Sequence, residues 1–121
     1  MAPMRRELFL AGLAALGLAG CVSKPPPIAR GLSHNIHDAQ SEFAELVPTR
    51  FPVGSAVSDL LAELHHEHFK IGPADARHPS FQFTAAVNHP GLGCRTAWYI
   101  SWAAEAGRIT AIEGYYLVEC L

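Results

Sequence analysis

"CRTAWYISWAAEAGRITAIEGYYLVEC", residues 94–120, carries the clearest structural signal in the chain. From Arg95 to Glu105 it alternates, with Trp98, Ile100 and Trp102 on one face and Arg95, Tyr99 and Ser101 on the other, the period of a half-buried strand. The segment "RITAIEGYYLVEC" is its natural antiparallel partner across a short turn at Ala106 and Gly107. In such a hairpin the numbers of facing residues sum to a constant, and Cys94 opposite Cys120 sets that constant at 214, centred on Gly107. The same register places Trp98 opposite Tyr116 and Trp102 opposite Ile112, the aromatic and β-branched pairs that stabilise a ladder. Gly107 then supplies the positive φ of a three-residue loop, and a bulge near Gly114 would shift the register by one.

Working outward, "FQFTAAV" (residues 81–87) reads as another strand. Lys70 to Ser80, with Gly72, Pro73 and Pro79, reads as a loop. Ahead of it lie two helical patterns. In "HNIHDAQSEFAELV" (residues 34–47), Ile36, Ala39, Phe43, Leu46 and Val47 fall three or four apart, and Pro48 is expected to end the helix. In "FPVGSAVSDLLAELHHEHF" (residues 51–69), Ser55 offers an N-cap, and Val57, Leu60, Leu61 and Leu64 form an apolar stripe continued by His68 or Phe69. The expected fold is α+β, two N-terminal helices packed on a small antiparallel sheet of three or more strands, covering the Trp98 and Trp102 face.

The first twenty residues, MAPMRRELFLAGLAALGLAG, have the layout of a secretory leader, with Arg5 and Arg6 ahead of an apolar run from Leu8 to Ala19. The run is bounded by Glu7 on one side and by Lys24 and Pro25–Pro27 on the other, too short for a permanent membrane span of about 20 apolar residues. Leu18-Ala19-Gly20-Cys21 resembles the lipobox of bacterial lipoproteins. That resemblance implies cleavage before Cys21, lipidation of its thiol and a membrane anchor, with two or more acyl chains giving stable attachment. The Arg5-Arg6-Glu7-Leu8-Phe9 stretch also looks like a twin-arginine export signal. Val22, standing where an aspartate retains such proteins in the inner membrane, implies the outer membrane, facing the periplasm.

The triple proline Pro25–Pro27 favours an extended polyproline II tether at about 3.1 Å per residue. The expected organisation is a leader over 1–20, a tether over 21–33 and one domain over 34–121. With Cys21 assigned to lipid, Cys94 and Cys120 remain as an even pair, and in an exported protein a disulfide is the expectation; in a reducing compartment they would be buried thiols.

The order of helices then strands, and "FPVGSAVSDLLAEL" opening the second helix, resemble the small SmpA/OmlA-type outer-membrane lipoproteins over roughly residues 45–121. Where that group usually has Leu-Gly-x-Pro, this chain has His65, His66, Glu67 and His68, and no functional residue transfers by motif. The resemblance implies a role in outer-membrane assembly or maintenance; the layout equally suits a separate lipoprotein family.

Candidate chemistry is sparse. His65 and His68 stand at the i, i+3 spacing that lets two imidazoles share a metal on a helix, with Glu67 as a nearby oxygen ligand; His34 and His37 repeat the spacing. Adjacent helical residues point about 100° apart, so His65, His66 and His68 do not converge, and a solvated helix end is the simpler account. GxSxG and HExxH are absent from the sequence, and nine Lys and Arg scattered against eleven Asp and Glu form no stripe for nucleic acid. Alternation leaves Tyr99 and Tyr115 on the outer sheet face as the better candidates for contact with another envelope protein. The expectation is thus a non-enzymatic, cofactor-free, lipid-anchored interaction module; the alternative is a metal- or small-ligand-binding lipoprotein using the histidines.

Overall fold

The computed structural model describes residues 25–74 and 79–121. After a 3-10 turn at Pro27–Ala29 come helices α1 (Ile36–Arg50) and α2 (Val57–His66), then strands β1 (Lys70–Pro73), β2 (Phe83–Pro90), β3 (Cys94–Glu105) and β4 (Arg108–Cys120). The strands form one antiparallel sheet in the order β1-β2-β3-β4, with both helices packed on one face, an α+β fold. Among the described residues no helix is long and apolar enough to cross a membrane.

The hairpin register is the one expected: Cys94 faces Cys120, Trp98 faces Tyr116 and Trp102 faces Ile112. Cys94 and Cys120 are joined by a disulfide, their Cα atoms 4.0 Å apart. Two details differ from expectation. The loop has two residues rather than three, Ala106 (φ 51°) and Gly107 (φ 77°), the double positive φ of the hairpin turn that matches strand twist. The bulge is at Thr110 rather than near Gly114, because Ala103 pairs with Ala111 while Ala104 pairs with Ile109. Strict alternation would put Ile109 and Ile112 on opposite faces. The extra residue turns Ile109 inward to 1% exposure while Ile112 still packs against the core.

The register brings Trp98, Ile100 and Trp102 of β3 into one row with Phe83, Ala85 and Val87 of β2 and Ile112, Gly114 and Tyr116 of β4. Phe43 and Val47 of α1 and Leu60 and Leu64 of α2 close over this face. Gly114 faces Ile100 in the ladder and makes the hollow that admits α1: a Cβ there would collide with the Val47 side chain and stand 3.2 Å from Phe43.

The helix ends correct the sequence reading in places. α1 starts at Ile36 because Asn35 caps it, its Oδ1 accepting from the backbone N–H groups of His37 (3.0 Å) and Asp38 (3.2 Å). Pro48 does not stop it; the helix runs to Arg50, and Phe51 N–H closes the last turn on the Val47 carbonyl. Proline removes the one donor that would serve the Ala44 carbonyl, and Ala44 is exposed, so water can replace that bond. Ser55 is not the N-cap of α2. Ala56 holds that position without a side-chain bond, and the Ser55 hydroxyl donates to the Pro52 carbonyl at 2.6 Å. Backbone bonds to β4 set the start instead: Ile109 N–H donates to the Ser55 carbonyl and Val57 N–H to the Gly107 carbonyl, both at 2.9 Å.

The stretch Lys70–Ser80, read as loop, opens with β1, paired to β2 from Lys70 opposite Ala86 to Pro73 opposite Phe83. A four-residue edge strand ending in proline has too little alternation to declare itself.

The hollow at Gly114 yields a direct expectation. Gly114→Ala should lower unfolding stability by about 1–3 kcal/mol, the usual cost of overpacking, measured by denaturant titration of the oxidised protein. Native stability in this variant would mean that α1 does not seat on β4 as described.

Candidate functional site

Three places carry the residues singled out in the sequence, and the structure treats each differently. On the sheet face opposite the helices, Tyr99 and Tyr115 are directly paired, their rings stacked with centroids 4.7 Å apart and planes 14° from parallel. Both are half-buried, and Leu117 beside them in the same row is 39% exposed. Ser101 continues this face, bonded to Thr84 across the sheet at 2.8 Å, and the Arg95–Glu119 ion pair (2.9 Å) lies toward its disulfide end. Ala97 and Ala103 of the same strand face are buried, at 4% and 9% exposure.

The histidine cluster does not keep its helical spacing. His65 and His66 end α2, while His68 lies beyond the C-cap with φ 64°, so the i, i+3 geometry breaks between His65 and His68. His65, His66 and His68 are all exposed. Among the described residues no group of three or more His, Cys, Asp and Glu stands close enough to hold a metal. His34 and His37 likewise straddle the helix start, His34 lying outside α1.

Glu67 behaves unlike the nearby surface ligand it was read as. It is the C-cap of α2 and only 5% exposed. Its Oε1 accepts from the backbone N–H of Ile28 at 2.7 Å, holding the arm Pro27–Leu32 against the domain across 39 residues of sequence. Ile28 and Ala29 are buried in the core at 2% and 3% exposure, so from Pro26 onward the stretch expected as a free tether packs against the domain. The other oxygen, Oε2, is buried and meets no hydrogen-bond donor. Burial first, then the neighbouring Glu63 carboxyl, raises the pKa of Glu67 to about 7. The Glu63 carboxyl is in turn held by Arg50 at 2.7 Å. At the arm's far end Glu42 accepts from both the N–H and the hydroxyl of Ser33 (2.8 and 2.6 Å), bonds that lower its own pKa. Sequence reading missed Glu67, although Leu60, Leu64 and Glu67 stand at the i, i+4, i+7 spacing of the apolar stripe. A carboxylate on that stripe was the available signal.

Latching the arm creates a cleft of about 510 Å³ between it and the β2–β3 end of the sheet, lined by Pro25, Leu32, His34, His89, Trp98 and Tyr116 among others. Trp98 stacks on Tyr116 (5.1 Å between centroids) and His89 meets Trp98 edge-on at 5.1 Å. The leader and Cys21, with its expected lipid, lie outside the described residues.

Comparison with known proteins gives no match: no protein-family model, no curated protein and no solved structure aligns with the chain.

Glu67 makes the pH dependence of stability specific. Because its folded pKa lies above the ordinary 4.5, the folded state holds this proton more tightly than the unfolded state. Its contribution is complete below pH about 4.5 and is lost as pH rises through about 7. Glu67→Gln keeps an acceptor for Ile28 N–H and removes the charge, so it should flatten the fall in stability between those limits and be the more stable protein at pH 8. Denaturant midpoints across pH 4–9 measure this; parallel curves for the two proteins would refute a titrating Glu67.

Proposed function

We propose that this chain is a lipid-anchored lipoprotein of the bacterial cell envelope, tethered through Cys21 at the outer membrane and facing the periplasm. There it acts as a non-enzymatic module that binds another envelope protein or supports outer-membrane assembly. The observation that carries the interaction role is the stacked Tyr99–Tyr115 pair with Leu117, presented on the sheet face that neither described helix covers. Rigid, half-exposed aromatic rings bury large area at small entropic cost, which is why such residues anchor interfaces. The β3–β4 ladder fixes both rings before any partner arrives, so binding need not order them.

Two further observations support the compartment. The Cys94–Cys120 disulfide suits an oxidising environment, and the LAGC sequence at residues 18–21 supplies the address and the anchor. A domain that begins to pack by Pro26 would stand only a few residues from its lipid.

The test is site-specific photocrosslinking in intact cells, with the photoreactive residue at Tyr115 on the outer face or at Glu45 on the exposed side of α1. The expected outcome is a reproducible adduct of one mass from position 115 and none from position 45. Absence of any specific adduct from position 115, in protein shown by mass spectrometry to be lipidated at Cys21, would remove the interaction role.

A further inference from the structure

We infer that one acyl chain of the lipid carried by Cys21 folds back into the cleft between the arm and the β2–β3 end of the sheet; this rests on the lipoprotein reading above. None of the cleft's lining residues is Asp, Glu, Lys or Arg; its polar lining is the imidazoles of His34 and His89 and the hydroxyls of Ser33, Thr96 and Tyr116. Most of the remaining lining is apolar, Pro25, Ala29, Leu32, Ala39, Pro90 and Trp98 among it, and suits an apolar ligand. Its volume of about 510 Å³ falls in the range of small-molecule sites. Trp98 and Tyr116 give it an apolar aromatic wall set by the sheet register, and Leu32 and Ala29 supply the opposing wall from the latched arm. Burial raises the pKa of the Tyr116 phenol above its ordinary value.

The position of the chain identifies the occupant. Pro25, the first described residue, itself lines the cleft. Cys21 precedes it by four residues, a span of at most about 14 Å whatever path the backbone takes. A ligand tethered at that distance is present at an effective concentration in the millimolar range, well above what a sparingly soluble free fatty acid offers. When the protein is in water rather than at a bilayer, an acyl chain gains by leaving solvent, and the cleft offers it apolar surface beside Pro25.

The experiment uses the full chain made in bacteria fed a diazirine-bearing fatty acid, purified in detergent, diluted below the critical micelle concentration and irradiated. Mass spectrometry of the N-terminal peptide establishes whether Cys21 carries lipid. The expected result is an intramolecular adduct joining that peptide to peptides containing residues 29–39 or 89–98. Two variants filling opposite walls, Leu32→Trp and Thr96→Trp, should each cut the adduct about tenfold without changing lipidation, so that misfolding of one leaves the other informative. A lipidated Cys21 whose adducts reach only detergent or a second copy, or that neither variant reduces, overturns the inference and leaves the lipoprotein reading standing. An N-terminal peptide without lipid overturns both, even if free photolabel marks the cleft.

Discussion

Cross-strand pairing of Cys94 with Cys120 fixes the β3–β4 hairpin, and the rest of the domain is arranged around it. The disulfide pins the open end of the two longest strands while the Ala106-Gly107 turn pins the closed end, so a one-residue slip is blocked at both limits. Register decides which side chains face the helices. With Trp98, Ile100 and Trp102 inward, Gly114 lies beneath α1 and accepts Phe43 and Val47. The bulge at Thr110 recovers Ile109 for the core, and the same residue's backbone bonds to the start of α2. Tyr99 and Tyr115 are stacked on the outer face for the reason that Trp98 and Tyr116 are stacked on the inner one: one register produces both pairs.

A second, polar constraint attaches the arm. Apolar packing of Ile28 and Ala29 supplies the attraction, and the Glu67 carboxyl supplies direction by accepting the Ile28 N–H. A buried carboxylate with an orphaned oxygen is costly unless it is protonated, which ties the arm's attachment to proton occupancy near neutrality. The arm is one wall of the cleft, so the shape of that cleft depends on an interaction far removed from it in sequence.

The hairpin was legible in the sequence because three local signals, cysteine spacing, turn glycine and alternation, converge on one register. Both helices were legible from their periodicity. What escaped depended on tertiary contact. Ser55 looked like a cap, yet backbone bonds to β4 chose Ala56 for that position. Pro48 looked like a stop, yet the carbonyl it leaves without a partner, that of Ala44, is on an exposed residue. The strand Lys70–Pro73 has no pattern of its own and exists because β2 offers an edge. Glu67 lies on the stripe of Leu60 and Leu64, but its partner, the Ile28 N–H, comes from a segment 39 residues earlier that no local pattern links to it. The tyrosine face could be expected from alternation alone, whereas the cleft could not, since its walls come from segments some sixty residues apart.

The domain thus has a division of labour by face: core and helices on one side of the sheet, the stacked tyrosines on the other, and the arm from Pro27 to Leu32 beside a cleft. All three rest on the disulfide-pinned hairpin, and native-state hydrogen exchange of the oxidised and reduced protein tests that dependence most directly. In the oxidised protein the amides of Ile100 and Trp102 should be among the slowest to exchange, and reduction should lower the protection of β3, β4 and α1 together by about 3 kcal/mol. Unchanged protection after complete reduction, or loss confined to the residues flanking Cys94 and Cys120, would contradict a fold organised by that pairing.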